Sequence, residues 1–493
     1  MSQETGRCVL TLPLLTEPWQ EHILETRFNI VEHLQNSLIA YELRQLKNLK
    51  RTRAYRDLIK QIEETPADKR KPLYRQRQKM LREAGFSEFA FKDAITPMQK
   101  HFSEHIATHI AHRAASNVWR SFEKYLFGSG QEVHFKRRGT LDSVANQKAG
   151  VSMAYQDGVF TWSGGRSKQA IKLSLKVAHP STDYERAMLE KECKYFRVVR
   201  KWMKTRYKYY LQFTLVGGPV QKDRPVSPGR VGLDIGTQSL AIASEQEVRL
   251  LELADRVNDN HRKLLTLQRK MDASRRATNP DNYNPDGTIC RGVKLRWNRS
   301  NHYNRLAGQV RELQRKNADI RKHQHTCLAN HILSLGSEIY VEQMNFKGLQ
   351  KRAKETTVNA QGRYNRKKRF GKSLANKAPA MFLTILDGKL DALGLPPTYR
   401  VDTWSFKASQ YDHLSQQYRK KRLSQRNHTL DNGDTLQRDL YSAFLLMNAH
   451  ESLQHPDQGR CEATYNTFKT LHDQEVHRLR TDDRPHLSSF GIA

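Results

Sequence analysis

Residues 231–244 read VGLDIGTQSLAIAS. Val231 to Ile235 is an apolar run with a single acid, Asp234, inside it. Gly236 opens a polar turn, and a second apolar run, Leu240 to Ala243, follows. Two short apolar runs joined by a glycine-bearing turn predict a pair of buried strands. A carboxylate held on such a strand suits two chemistries. It can ligate a divalent cation beside a phosphodiester, or it can sit next to the phosphates of a nucleoside triphosphate. This stretch alone does not separate them.

Two more acids repeat the placement. Glu342 ends an apolar run, flanked by Ile339 and Val341, in IYVEQMNF at 339–346. Asp439, in QRDLYSAFLLMNAH, stands at the start of a segment whose Leu440, Ala443, Phe444 and Met447 recur at helical spacing. Taken singly each acid is weak evidence, since a strand-end Glu is usually just exposed. Two strand-borne carboxylates and one helix-borne carboxylate can converge on one point, where like charges in a low dielectric repel. A pair of Mg²⁺ ions, or Mn²⁺ in their place, about 3.5–4 Å apart removes that cost and supplies two-metal hydrolysis.

Composition points the same way. The 493 residues carry a formal charge of +33, and self-repulsion at that charge calls for a polyanion. Nucleic acid gains from many Lys and Arg contacts through counterion release. A membrane surface is the plainer alternative, but no stretch approaches the roughly 20 apolar residues of a membrane span. MSQETGRCVLTLPLL lacks a basic region before a long apolar core, so no signal peptide is expected. Cys8, Cys193, Cys290, Cys327 and Cys461 are isolated, without any CxxC, which argues for a reducing interior and against an all-cysteine zinc site.

Ahead of Asp234 the chain changes character twice. Cys8 to Leu14 alternates as a strand; Thr16 reads as a helix N-cap with Pro18 in the first turn. Leu24, Phe28, Val31, Leu34, Leu38 and Tyr41 then trace a long amphipathic helix that ends at a basic run, 47–51. A second long helix is expected from Pro97 to Phe127, with Phe102, Ile106, Ile110, Val118 and Phe122 buried. His101, His105 and His109 fall four apart in it. They read as a solvated or phosphate-facing edge, because no further ligand completes a metal site. Beyond Gly128-Ser129-Gly130, short strands are expected at Glu132–Phe135, Val151–Tyr155, Gly158–Trp162, Ile171–Val177 and Tyr207–Val216, which together suggest a small β-barrel.

Residues 194–213, KYFRVVRKWMKTRYKYYLQF, hold seven Lys or Arg and seven aromatics. Arg197, Arg200, Lys201, Lys204, Arg206 and Lys208 are candidate phosphate contacts, with rings for bases or ribose; the plainer reading, one apolar strand face and one solvated face, can hold at the same time, with alternate residues on opposite sides. A second basic tract, 346–376, carries ten Lys or Arg against one acid. It reads as a phosphate-binding or lid-like loop, through Lys351, Arg352, Arg366, Lys367, Lys368 and Arg369. A long charged helix is expected from about Lys294 to Leu335.

GLDIGTQSLAIAS (232–244), IYVEQMNFKGLQKR (339–352), FKASQ (406–410) and RDLYSAFLL (438–446) resemble the RuvC domain of the TnpB-like and compact type V CRISPR effector families of RNA-guided DNA nucleases. The motifs cover roughly 231–449; over the first 225 residues or so the resemblance rests on layout alone. It implies a multidomain α+β and α/β protein. A wedge-like β-barrel (1–16 and 129–226) would hold an inserted helical recognition domain (17–128). An RNase H-like RuvC domain (227–407 and 438–493) would hold a target-nucleic-acid-binding insertion (408–437). It implies Asp234, Glu342 and Asp439 as catalytic metal ligands, and Arg438 as a holder of the scissile phosphate. The implied partners are guide RNA, double-stranded target DNA and the RNA–DNA heteroduplex, without a membrane, in a prokaryotic cytoplasm. The family's insertion carries two cysteine pairs for zinc; 408–437 has no cysteine, so no structural zinc is expected. Lys420, Lys421 and Arg422 remain there as candidate backbone contacts.

Three alternatives stand beside this reading. A sugar kinase or actin-like ATPase would place its phosphate loop at the start of the chain and add a second such loop, which is missing. A nuclease-inactive, RNA-guided repressor would be expected to have lost an acid. A plain junction resolvase would not need the first half.

Overall fold

The computed structural model describes residues 6–128, 130–220, 225–351, 355, 357–362, 370–420, 422, 425–483 and 486–492. The chain divides after Val220 into two compact units.

Among the described residues the first unit holds β1 (Arg7–Leu15), six α-helices and six further strands. The helices between β1 and β2 are α1 (Pro18–Arg51), α2 (Arg53–Glu64), α3 (Lys71–Glu83), α4 (Glu88–Lys100) and α5 (Thr108–Phe127). The strands that follow are β2 (Ser143–Ala145), β3 (Met153–Gln156), β4 (Val159–Ser163) and β5 (Lys172–Val177), and then, after the short helix α6 (Asp183–Leu189), β6 (Cys193–Met203) and β7 (Arg206–Val216). Every odd side chain of β1 is exposed and every even one buried, so this strand lays one face on the core.

The strands form one antiparallel sheet, ordered β2-β6-β7-β1-β5-β4-β3. The expected barrel is not closed by any ladder among the described residues. The side chain of Asn146, fully buried just after β2, bonds to β6 and to the loop that leads into β3, and its Nδ2 lies 3.5 Å from the Met153 carbonyl of β3. Its Oδ1 accepts from the Phe196 N–H (2.8 Å), and its Nδ2 donates to the Lys148 and Val151 carbonyls (2.6 and 3.2 Å). Residues 132–135 are irregular rather than a strand. The stretch is tied to α1, where Asn36 exchanges two hydrogen bonds with the Lys136 backbone.

Glu17, not Thr16, caps α1: its side chain closes a reciprocal capping box with Gln20. The basic run at 47–51 lies inside α1, with Lys50 and Arg51 in its last turn, where cations suit the helix dipole. The single helix expected over 97–127 is two, broken at 101–107. His101, His105 and His109 therefore share no helix edge, which corrects that expectation.

The second unit centres on a five-stranded sheet, β10-β9-β8-β11-β12. β8 (Arg230–Ile235), β9 (Ser239–Ala243) and β10 (Val248–Glu252) meander antiparallel. α7 (His261–Thr278) and α8 (Asn301–Leu335) then return the chain to β11 (Glu338–Glu342), which runs parallel to β8. α9 (Phe346–Gln350), α10 (Gly371–Lys377) and α11 (Pro379–Ala392) lead to β12 (Tyr399–Val401), parallel to β11. The one-turn α12 (Thr403–Phe406) follows, then two hairpins: β13 (Tyr411–Asp412) with β14 (Gln417–Tyr418), and β15 (Asn427–Thr429) with β16 (Thr435–Gln437). α13 (Arg438–Met447) and α14 (Gln458–Thr481) end the unit.

Both faces of this sheet are covered. Val231, Leu233 and Ile235 pack with Ile332 of α8 and Leu386 of α11. Ala241, Tyr340 and Val401 pack on the other face with α13 and α14. Glu475 of α14 accepts the Leu250 N–H at the margin of β10 (2.9 Å) and is clasped by Arg478. α7, a helix that hydropathy did not reveal, pairs with α8 through Leu267, Leu306 and Leu313. The expected start of α8 near Lys294 moves to Asn301, where Ser300 caps the helix.

Candidate functional site

Strand alternation decides where Asp234 faces. Val231, Leu233 and Ile235 point toward α8 and α11, so Gly232 and Asp234 point toward α13. Gly232 shows how close α13 comes. A Cβ there would stand 1.9 Å from the Ala443 carbonyl oxygen and 2.4 Å from the Met447 nitrogen. Only glycine admits the helix at this distance, and α13 begins with Arg438 and Asp439. On β11, Val341 pairs with Leu233, so Glu342 continues the ladder level with Asp234. Tyr340, two residues back, belongs to the α13 side, which puts Glu342 on that face as well.

Asp234, Glu342, Asp439 and Arg438 are all half-buried. Burial pushes the Asp234 carboxyl well above the usual carboxylate range. Asp439 and then Glu342 add to this by repulsion, and Arg438 opposes it. Burial pushes Glu342 up to about 7. Arg438 leans on Asp439, with Nη2 3.1 Å and Nε 3.2 Å from Oδ1, while its Nη1 donates to the Gln425 carbonyl (3.0 Å). Among the described residues no three His, Cys, Asp or Glu side chains stand close enough to form a ready-made metal centre. Asp234, Glu342 and Asp439 nonetheless offer only oxygen donors, opposed by the single charge of Arg438, which suits a hard divalent cation.

The start of α13 is held from a distance. The Gln437 side chain caps the helix by accepting the Leu440 N–H (2.7 Å), its Nε2 donates to the Phe490 carbonyl (3.2 Å), and its backbone N–H donates to His472 Nε2 of α14 (2.9 Å). His472 Nδ1 in turn donates to Asp473 (2.8 Å). Burial lowers the His472 pKa, which keeps it the neutral acceptor that this bond requires. Gly232, Gln437 and His472 escaped the sequence reading. A glycine inside an apolar strand is a signal of close approach; the other two act across 35 residues and leave no local pattern.

The hairpins at 408–437 are anchored to α13 by side chains. His413 Nδ1 and the Tyr441 hydroxyl are 2.8 Å apart, and His428 packs edge-on to the same ring. Lys420 and Arg422 are exposed; Lys421 lies outside the described residues.

In the first unit, Lys201, Lys204 and Arg206 are exposed around the β6–β7 turn, and Arg197 and Lys208 are half-buried. Lys201 lies over the Tyr210 ring at 5.1 Å, so a basic and aromatic face is present. Arg200 is a correction. It is 2 % exposed, donates to the Leu141 and Gly139 carbonyls, and stacks on Phe28 and Tyr207. It shares its parity with Phe196 and Val198, the buried face of β6, and holds the sheet to α1. Lys351 is exposed at the end of α9; Arg352 and the run Arg366, Lys367, Lys368, Arg369 lie outside the described residues. The far end of that tract is anchored by Lys377, which is buried and paired with Glu252 at 2.7 Å.

The chain matches no protein-family profile and no curated protein. Among solved structures it resembles the Cas12f1–sgRNA–target DNA complex, at 12 % identity and a TM-score of 0.49 over 90 % of this chain and 99 % of that one. It also resembles a CRISPR–Cas12f ternary complex, at 13 % identity and a TM-score of 0.27 over 87 % and 82 %. No helix among the described residues is long and apolar enough to cross a membrane.

Proposed function

We propose that the chain is an RNA-guided DNA endonuclease whose second unit is an RNase H-like, RuvC-type domain. One observation carries this reading: Asp234 lies in the combined field of Asp439 and Glu342, on the sheet face that α13 approaches through Gly232. Three carboxylates directed to one sheet face suit a hydrolase that holds divalent cations. The sheet order, with two parallel strands added beside an antiparallel meander, supports the RNase H-like assignment. The charge of +33 and the basic, aromatic face of β6 and β7 support guide RNA and target DNA as partners, with base pairing reading the sequence and protein gripping the backbone. The first unit would hold the guide and read a short motif flanking the target.

Asp234, Glu342 and Asp439 are the ligands in this reading, and Mg²⁺ or Mn²⁺ the cation. Bound there, the metal supplies a water of lowered pKa and neutralises charge on the phosphate. Asp234 and Glu342 must release their protons for it to bind, so affinity rises with pH. Arg438 relinquishes Asp439 and turns its planar fork to a phosphate oxygen, a geometry that guanidinium suits. Cleavage leaves a 5′ phosphate and a 3′ hydroxyl.

The test is Asp234→Ala in the guide-loaded chain. Magnesium-dependent cutting should vanish while guide RNA binding persists. A variant that still cuts removes Asp234 from the site.

A further inference from the structure

Trp404 is the most exposed large apolar side chain among the described residues, at 85 %. Its mount is rigid. Asp402 caps α12 by accepting the Ser405 N–H (3.0 Å), and the Thr403 hydroxyl donates to the Gln343 carbonyl (3.2 Å). The Gln343 N–H donates to Val401 (2.9 Å), and Val401 lies opposite Glu342 in the ladder. Phe406, at the other end of α12, is fully buried. An indole in solvent is thus held by both neighbours in the chain, on a turn of helix bonded to the residue after Glu342. Single exposed apolar residues are ordinary, but this one has company. Lys407 lies 5.8 Å over the ring of Tyr418, which is itself 45 % exposed.

The geometry points to a nucleobase-stacking site at Trp404, flanked by Lys407 and Tyr418, that seats an unpaired base of the strand whose phosphate lies at Asp234. This rests on the nuclease reading above and adds to it where the strand is gripped. Three observations favour a base over an apolar protein partner. The helix that carries the ring is bonded to Gln343, the residue after Glu342, so a nucleotide held at that acid passes close to it. Lys407, three residues on and over the Tyr418 ring, adds a cation beside a second exposed aromatic. A flat, solvated ring on a stiff support accepts any base by its π-face, which suits a strand of arbitrary sequence. Trp404 is a positioning residue in this scheme, since it touches a base next to the reacting bond rather than the bond.

Stacking of this kind is worth about 5- to 150-fold in occupancy per base. In the guide-loaded chain with magnesium, Trp404→Ala should slow cleavage of the displaced strand at least about fivefold, and Trp404→Phe should restore most of it. An abasic nucleotide stepped along that strand should reproduce the loss at one position in the parent, and add nothing at that position in Trp404→Ala. Equal rates in parent and Trp404→Ala, or an abasic penalty that survives in the variant, overturn the proposal. A second measurement needs no cutting. In the Asp234→Ala background, an oligothymidylate should quench tryptophan fluorescence, and Trp404→Phe should reduce the quench; an unchanged quench also overturns it. If the parent never cuts DNA but the quench depends on Trp404, the nuclease reading falls and the stacking site stands.

Discussion

Gly232→Ala tests how α13 is seated on β8. The added Cβ would lie 1.9 Å from the Ala443 carbonyl oxygen and 2.4 Å from the Met447 nitrogen, and ordinary contact demands more than 1 Å of withdrawal. Both obstacles are backbone, so no side-chain rotation clears them. Either the helix retreats or the strand bends. Overpacking of this kind costs about 1–3 kcal/mol. The functional loss should be larger than the stability loss suggests. Asp439 rides on the first turn of α13, and a displacement of about 1 Å between catalytic groups costs on the order of a hundredfold. The assay is single-turnover cleavage at saturating guide, target and magnesium, beside thermal unfolding of the same preparations. Ala443→Gly in the same chain is the control, because it removes a methyl and leaves the clashing oxygen in place. Wild-type cutting by Gly232→Ala, or rescue by Ala443→Gly, would refute the close-approach argument.

Two other predictions concern charge. A carboxyl raised in the fold favours the protonated native state, so its contribution is complete below the unfolded pKa and lost as pH rises through the folded one. For Glu342 the window runs from 4.5 to about 7, worth about 3 kcal/mol. Metal-free protein should lose that stability across the window in urea titrations, Glu342→Gln should not, and magnesium at pH 8 should restore it only to the parent; parallel pH profiles for parent and variant would contradict the burial of Glu342. Arg200→Ala and Lys201→Ala should separate cleanly. The first should destabilise the first unit by about 2–4 kcal/mol with the salt dependence of RNA binding unchanged, while the second should lower the slope of log K against log salt by about 1 at unchanged stability. The reverse pattern would place Arg200 on the nucleic-acid face after all.

Much of the site was legible because acids interrupting apolar strands are locally anomalous. Asp234 stands out between Leu233 and Ile235, Glu342 at the end of the apolar run that closes on Val341, and Asp439 against the helical period that follows it. What brings them together was less so. Gln437 and His472 meet only through tertiary packing, and no spacing announces a bond between a helix cap and a distant imidazole. The break between α4 and α5 was invisible because Phe102, Ile106 and Ile110 continue the four-residue rhythm through it, without Gly or Pro to mark the turn. Helix α7 was missed because its thin apolar stripe, Leu264, Leu267 and Met271, is swamped by charge. Arg200 was legible in principle, since it keeps step with Phe196 and Val198 and so falls on the buried side of an alternating strand. The strands of the first unit were mostly found, but closure depends on which partners pair, and a single buried asparagine does the bridging.

The contact between Glu475 and the Leu250 amide has a bearing on the solution behaviour of the protein. A bare strand margin is an open template on which another polypeptide can add itself. Here one flank of the five-stranded sheet is the three-residue β12, too short to recruit a neighbour, and the other is occupied by a carboxylate where an incoming carbonyl would dock. A chain truncated ahead of α14 would therefore self-associate through β10, whatever became of its chemistry.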